Sequence, residues 1–272
     1  MPWQPTTILR FEGSVPSSSA VLRVVTDQGK GYLKALGNPE GPQILAREWV
    51  GTNLAQRFGL STFEFAILEV TETDELPFAK GGQALPGPAF VTRAESGAAW
   101  GGKEAELRKL ANPHDLGRLV VFDTWIRNRD RHPPPGSQWQ PARRNVFLSS
   151  EGVAEEQVRL KAMDHTHCFT WATSLTQRLS DIDEVQDERV YGRFPEFEPW
   201  LDRARVRELL KELRGIKRDE IMQVVQGVPA AWDVNQAARE ALVNLLSQRA
   251  GWLADRLPGL FWPQQELNLE SV

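Results

Sequence analysis

Lys34, Glu48, Asp130, Asn145 and Asp164 are the side chains whose types and order could do chemistry. Phosphoryl transfer asks little covalent work of a protein. It needs a cation on the phosphates, carboxylate and amide oxygens for magnesium, and a residue to orient the attacking oxygen. Lys34 lies in GYLKAL, and Glu48 follows fourteen residues later, where a carboxylate could hold the ammonium toward phosphate. Asp130 sits in RNRDRH, just after an amphipathic stretch, where a loop can aim a carboxylate into a cleft. Asn145 opens the run NVFL and Asp164 closes VRLKAMD. The pair would stand at opposite ends of a hairpin as oxygen ligands for a hard cation. Singly, each has an ordinary alternative: a solvated strand lysine, an exposed helix glutamate, an Asp or Asn shaping a turn. Their conjunction, in this order, carries the reading.

The elements that must position them follow from periodicity. AVLRVV and GYLKAL alternate apolar and polar residues around the turn DQGKG, a hairpin pattern. QILAREWVGTNLAQRFG reads as a helix with Leu45, Trp49 and Leu54 or Phe58 on one face and Gly59 as its stop. FEFAILEV and AFVTR read as strands, and the segment ESGAAWGGKEA has linker composition. DLGRLVVFDTWIRN carries Leu116, Leu119, Val120, Trp125 and Ile126 as a buried stripe. Two short strands, NVFL and VRLKAMD, follow the proline-rich stretch, and helices are expected at about 200–214, 217–226 and 235–257. The layout is α+β: a β-rich N-terminal lobe with one helix over residues 1–94, then a mainly helical lobe over 95–272. Acidic SDIDEVQDE, 180–188, reads as exposed surface.

A length of 272 residues allows one large domain or two lobes. A net charge of -4 leaves no electrostatic footprint for nucleic acid, so direct nucleic-acid binding is not expected. No apolar run reaches the roughly 18 residues of a membrane-spanning helix, and the N-terminus has no secretory pattern. The single cysteine, Cys168, excludes an internal disulfide and suits a reducing compartment, so a cytoplasmic location is expected.

GYLKAL, AREWVGTNLAQRFGLS, FDTWIRNRDRH, RNVFL and AMDHTHCF together resemble the HipA-like kinase family, in its compact form. The triplet Asp130-Arg131-His132 is also similar to the catalytic loop of phosphatidylinositol kinases. The resemblance implies a two-lobed protein-kinase-like fold and ATP-dependent phosphorylation of serine or threonine in a protein substrate. It implies Asp130 as the catalytic residue, Asn145 and Asp164 as Mg2+ ligands, and Lys34 on the ATP phosphates with Glu48 as partner. It places adenine against the backbone of FVTRAES, at Thr92, Arg93 and Ala94. FEGSVPSSSAVLRV would take the place of a glycine-rich loop, with Ser17, Ser18 and Ser19 offering hydroxyls and N–H groups to phosphate. The same serines are candidates for autophosphorylation, which would place negative charge beside ATP.

The chain departs from that pattern twice. Asp and Asn of such loops stand about five positions apart, whereas Asp130 and Asn145 are fifteen apart. Asn128 is the other amide at hand. No G-x-G-x-x-G is present. Alternatives therefore stay open: a small-molecule or lipid kinase on the same fold, or an inactive pseudokinase acting as an interaction module. Asp164, His165, His167 and Cys168 could also be read as zinc ligands, although their spacing matches no familiar zinc pattern. Arg143 and Arg144 could meet phosphate, meet an acidic substrate, or lie on a solvated edge.

Overall fold

The computed structural model describes residues 2–17, 19–171 and 174–262. Five antiparallel strands form the first sheet, in the order β1-β2-β3-β5-β4. They are β1 (Ile8–Ser14), β2 (Leu22–Thr26), β3 (Gly29–Leu36), β4 (Phe65–Val70) and β5 (Leu85–Arg93). The period-2 pattern of β2 and β3 turns Leu22, Val24, Leu33 and Ala35 into one apolar core. It turns Tyr32 and Lys34 to the other face, beside Thr92 and Phe90 of β5. β1 is an addition to the expected elements. Two register shifts break its pairing with β2, and it shows no alternation of burial, so it carries no period-2 signal.

Between β3 and β4 runs α1 (Gln43–Arg57). Its residues Leu45, Val50 and Leu54 join the larger core of the C-terminal helices. Trp49 Nε1 donates to the Val224 carbonyl at 3.2 Å, and Phe58 stacks near Phe122. The chain's helix of the β-rich part therefore packs on the helical part. Glu48, readable as an exposed helix residue, is buried here, with only 3% of its side chain exposed.

The second sheet has the order β6-β7-β8, from β6 (Gly97–Ala99), β7 (Val146–Ser149) and β8 (Arg159–Ala162). β6 lies inside the segment of linker composition, which thus contributes a strand paired with β7. The helices are α2 (Glu104–Leu107), α3 (Asp115–Ile126), α4 (Ile182–Val185), α5 (Arg203–Gly215), α6 (Arg218–Gln226) and α7 (Gln236–Phe261). α5 and α7 start on side-chain caps, Asp202 and Asn235, each accepting from an N–H three residues on.

α3 ends on Arg127 in the left-handed region, φ 56°. Arg127 is held by Asp187 at 2.9 Å and by Glu184. Asp187 is buried, so the acidic stretch 180–188 is in part an internal anchor and only in part exposed surface. Arg249 of α7 is fully buried and donates to the carbonyls of Thr124, Trp125, Val185 and Asp187. These bonds fix the end of the helix from which the Asp130 loop departs. No helix among the described residues is long and apolar enough to cross a membrane.

Candidate active site

The face of β3 opposite its core carries Lys34 against α1. Lys34 Nζ donates to Glu48, to Asp164 Oδ1 at 3.1 Å and to Thr166 Oγ1 at 2.8 Å. The Thr166 hydroxyl lies 2.8 Å from an oxygen of each carboxylate, and His165 N–H donates to Glu48 Oε2 at 3.1 Å. One ammonium is thus shared by two carboxylates. Burial alone would lower the Lys34 pKa, but Asp164 and Glu48 together raise it above the ordinary lysine range. Burial pushes Glu48 upward, with the neighbouring Asp164 charge adding to it. Burial would also raise Asp164, yet Lys34 and the Thr166 hydrogen bond hold it well below the usual carboxylate range. Of the two carboxylates, Asp164 is the one held low.

Asp164 lies two residues beyond β8 rather than at its end, with φ 60°, a left-handed conformation that Asp tolerates better than most residues. Asn145 likewise does not open its strand. It closes a one-turn 3-10 segment, Arg143–Asn145, just before β7.

The structure brings Asp130 and Asn145 together across their fifteen-residue separation: Asn145 Nδ2 donates to Asp130 Oδ2 at 2.7 Å. The intervening Pro133–Arg143 leaves and returns through a narrow neck, closed where Ala142 N–H donates to the Arg131 carbonyl at 2.9 Å. Asn128 is committed elsewhere, to Asp123 Oδ1 through its amide at 3.2 Å. Within the flap, Trp139 packs over the Arg129 guanidinium at 4.5 Å and near the His167 ring at 5.4 Å.

A cavity of about 420 Å³ opens beside these groups, with Lys34, Glu48, Asn145 and Asp164 in its wall. Apolar side chains including Val21, Phe63, Phe90 and Met163 make up much of the rest, a lining suited to a flat apolar ring with phosphates at one end. Asn145 commits its amide nitrogen to Asp130, and Asp164 commits Oδ1 to Lys34 and Thr166. Their other oxygens leave a hard donor set inside the cavity, which fits Mg2+.

The β1–β2 connection arches over the same space. Val15 N–H donates to the Val21 carbonyl at 2.8 Å, and Ser17 Oγ accepts from Val21 N–H at 3.3 Å. Ser17 and Ser19 line the cavity, Ser19 buried and with its carbonyl taken by Asn38. Ser18 lies outside the described residues.

Of Thr92, Arg93 and Ala94, only Thr92 lines the cavity. The Arg93 and Ala94 N–H groups are spent on the carbonyls of Glu64 and Lys30. Glu95 and Gly97 continue the wall instead. The Glu95 side chain is only 4% exposed, held by Lys161 and by Ser149 Oγ at 2.8 Å, so it meets the cavity through its backbone. Arg143 pairs with Glu196 at 2.7 Å and stacks by Trp100, while Arg144 is exposed at the cavity wall.

Asp164, His165, His167 and Cys168 point to different surroundings. His165 Nδ1 lies 3.2 Å from Thr52 Oγ1, His167 faces Glu40 at 3.7 Å, and buried Cys168 donates to the His165 carbonyl at 2.9 Å. No cluster of three or more His, Cys, Asp or Glu suited to a metal exists among the described residues. The zinc alternative therefore has no converging ligand set.

Burial, helped by the nearby Arg131 charge, lowers the His165 pKa from 6.5 to about 3. The unfolded chain then binds a proton below pH 6.5 that the folded chain refuses. Stability falls as pH drops through this window, by about 2 kcal/mol from this group at pH 5. Urea unfolding at pH 7 and pH 5 should show the wild type losing that much more than His165→Gln. Equal losses would refute the assignment.

Among solved structures, the chain is similar to a Helicobacter pylori proinflammatory kinase, CtkA, at 12% identity and a TM-score of 0.61, with 96% of this chain and 98% of that one covered. It is also similar to HipA of Shewanella oneidensis, from a toxin–antitoxin complex with HipB and operator DNA, at 9% identity and a TM-score of 0.51. That match covers 94% of this chain and 70% of HipA. No curated protein sequence matches. These likenesses show a kinase fold. The sequence profile of the HipA-like kinases matches residues 24–262, and the chain belongs to that family.

Proposed function

We propose that the chain is an ATP-dependent, magnesium-using kinase that phosphorylates serine or threonine in a protein, with residues 1–94 as its nucleotide-binding lobe and 95–272 as its catalytic lobe. The observation that carries this reading is the meeting of Lys34, Glu48 and Asp164 beside an Asp130–Asn145 pair. Lys34 would hold the ATP phosphates, with Glu48 fixing its direction. Asn145 and Asp164 would hold magnesium, which when bound neutralises phosphate charge. Asp130 orients the acceptor hydroxyl and takes its proton as the acceptor oxygen bonds to the γ-phosphorus and the bond to the β,γ-bridging oxygen breaks. ADP leaves with that electron pair. Adenine would lie along Thr92 to Glu95. Ser17 and Ser19, both in the cavity wall, are the described candidates for autophosphorylation. A cytoplasmic location agrees with one buried, unpaired thiol.

Thermal unfolding with ATP and Mg2+ tests binding. Ligand at a hundredfold excess over Kd adds about 2.7 kcal/mol, a rise in Tm of about 5–10 °C for a chain of this size. Transfer of labelled γ-phosphate then distinguishes acceptors. Label on Ser/Thr peptides supports the proposal, and label on phosphoinositide vesicles alone gives the lipid kinase instead. A Tm rise without transfer to either, or to the chain itself, gives the inactive module.

A further inference from the structure

Arg131 is the least surface-like arginine of the site: it has no exposed area. Its Nε donates to Asp123 Oδ2 at 2.7 Å. One terminal nitrogen donates to the Asn145 carbonyl and to the Met163 carbonyl, the latter at 3.0 Å. Asp123 is also fully buried, receives Asn128 Nδ2, and faces Gly192, where a Cβ would collide with its carboxylate. The guanidinium therefore joins three separate pieces of chain: the last turns of α3, the residue before β7, and the residue before Asp164.

We propose that Arg131 is a positioning residue that sets the spacing between the two cation-holding side chains, Asn145 and Asp164. The inference rests on the kinase reading above. Where Asp and Asn stand about five positions apart, chain connectivity itself limits where the Asn can go. Here fourteen residues intervene, and connectivity constrains little. Arg131 replaces that constraint from one residue past Asp130: its backbone carbonyl seals the flap's neck, and its side chain grips the backbone at Asn145 and beside Asp164. A buried ion pair is a poor source of net stability, because desolvation consumes most of the attraction. Its placement against two carbonyls is what gives it a geometric role. A planar guanidinium with divergent donors can bridge an acid and two carbonyls, whereas an ammonium on a flexible stem cannot do so in the same geometry.

Arg131→Lys keeps a positive charge for Asp123, so the variant is designed to fold. Two measurements then apply to the full chain. Electron paramagnetic resonance of Mn2+ with a non-hydrolysable ATP analogue reads metal binding without turnover. Hydrogen exchange of residues 143–149 and 160–168 reads the brace with neither metal nor nucleotide. In a variant with native circular dichroism and cooperative unfolding, Mn2+ affinity is expected to fall at least about tenfold, the size of loss typical when a group that orients metal ligands is removed. Metal-free nucleotide affinity should stay within about twofold, and both segments should exchange faster together. Unchanged Mn2+ affinity, or unchanged exchange in either segment, would overturn the proposal. Arg131→Met with Asp123→Asn, which removes the charge pair altogether, is expected to give the same two losses. Full metal affinity in that double variant would also overturn it. A wild type that binds no metal–nucleotide would count against the kinase reading instead, and exchange would still decide the bracing role.

Discussion

Asp130→Asn is expected to lower phosphoryl transfer by about 10²–10⁴-fold, the usual contribution of a positioned general base, while nucleotide affinity changes little. The asymmetry follows from geometry. Asp130 stands outside the cavity wall that holds Lys34, Asn145 and Asp164, so the nucleotide end of the site does not depend on its charge. Its Oδ2 accepts from Asn145 Nδ2, and an Asn carbonyl can accept the same hydrogen bond. On the proposed mechanism the substitution therefore removes the proton acceptor and leaves the hydrogen bond from Asn145 in place. Single-turnover transfer from labelled ATP, alongside equilibrium nucleotide binding, separates the two effects. Wild-type turnover in Asp130→Asn would remove Asp130 from the mechanism.

Asp164→Asn is expected to act on the other side of the reaction, with loss of magnesium-dependent nucleotide binding and of transfer together, by about 10²-fold or more if its oxygen holds the metal. Its effect on folding should be small. Asp164 and Glu48 share a single ammonium, so removing one charge loses an attraction to Lys34 and relieves a repulsion from Glu48. The two changes oppose each other, and Lys34 retains a carboxylate. This differs from the ordinary buried pair, where deleting one partner strands the other and costs about 3–5 kcal/mol. Because Asp164 sits below its ordinary pKa, whatever stability its charge supplies is present above about pH 4 and is lost as pH falls further. Calorimetry with Mg2+-ATP and urea unfolding at pH 7 test both halves. Large destabilisation with intact binding would mark Asp164 as a structural anion.

Periodicity made much of this fold legible in the sequence. β2, β3 and the three C-terminal helices each present an apolar face at the period of their type, whereas α1 and α3 are buried on nearly all sides. Lys34 could be placed on a strand face, and Glu48 on a helix fourteen residues later. β1 was illegible because it is an edge strand with a broken register. Three charged residues in the site's vicinity, Glu48, Asp187 and Arg131, are buried, which charged side chains seldom are. Their partners offset the desolvation: Lys34 for Glu48, Arg127, Arg189 and Tyr191 for Asp187, and Asp123 for Arg131. Glu95 was not singled out, because which backbone groups reach the cavity depends on which N–H groups the neighbouring strands have already taken.

The sealed neck of the flap separates loop length from active-site geometry. Lengthening a closed loop threefold costs only about 1 kcal/mol of closure entropy, and here Arg131 ties the neck to Ala142 and to Asn145. Changes of length within residues 133–143 are thus expected to leave the Asp130–Asn145 hydrogen bond in place.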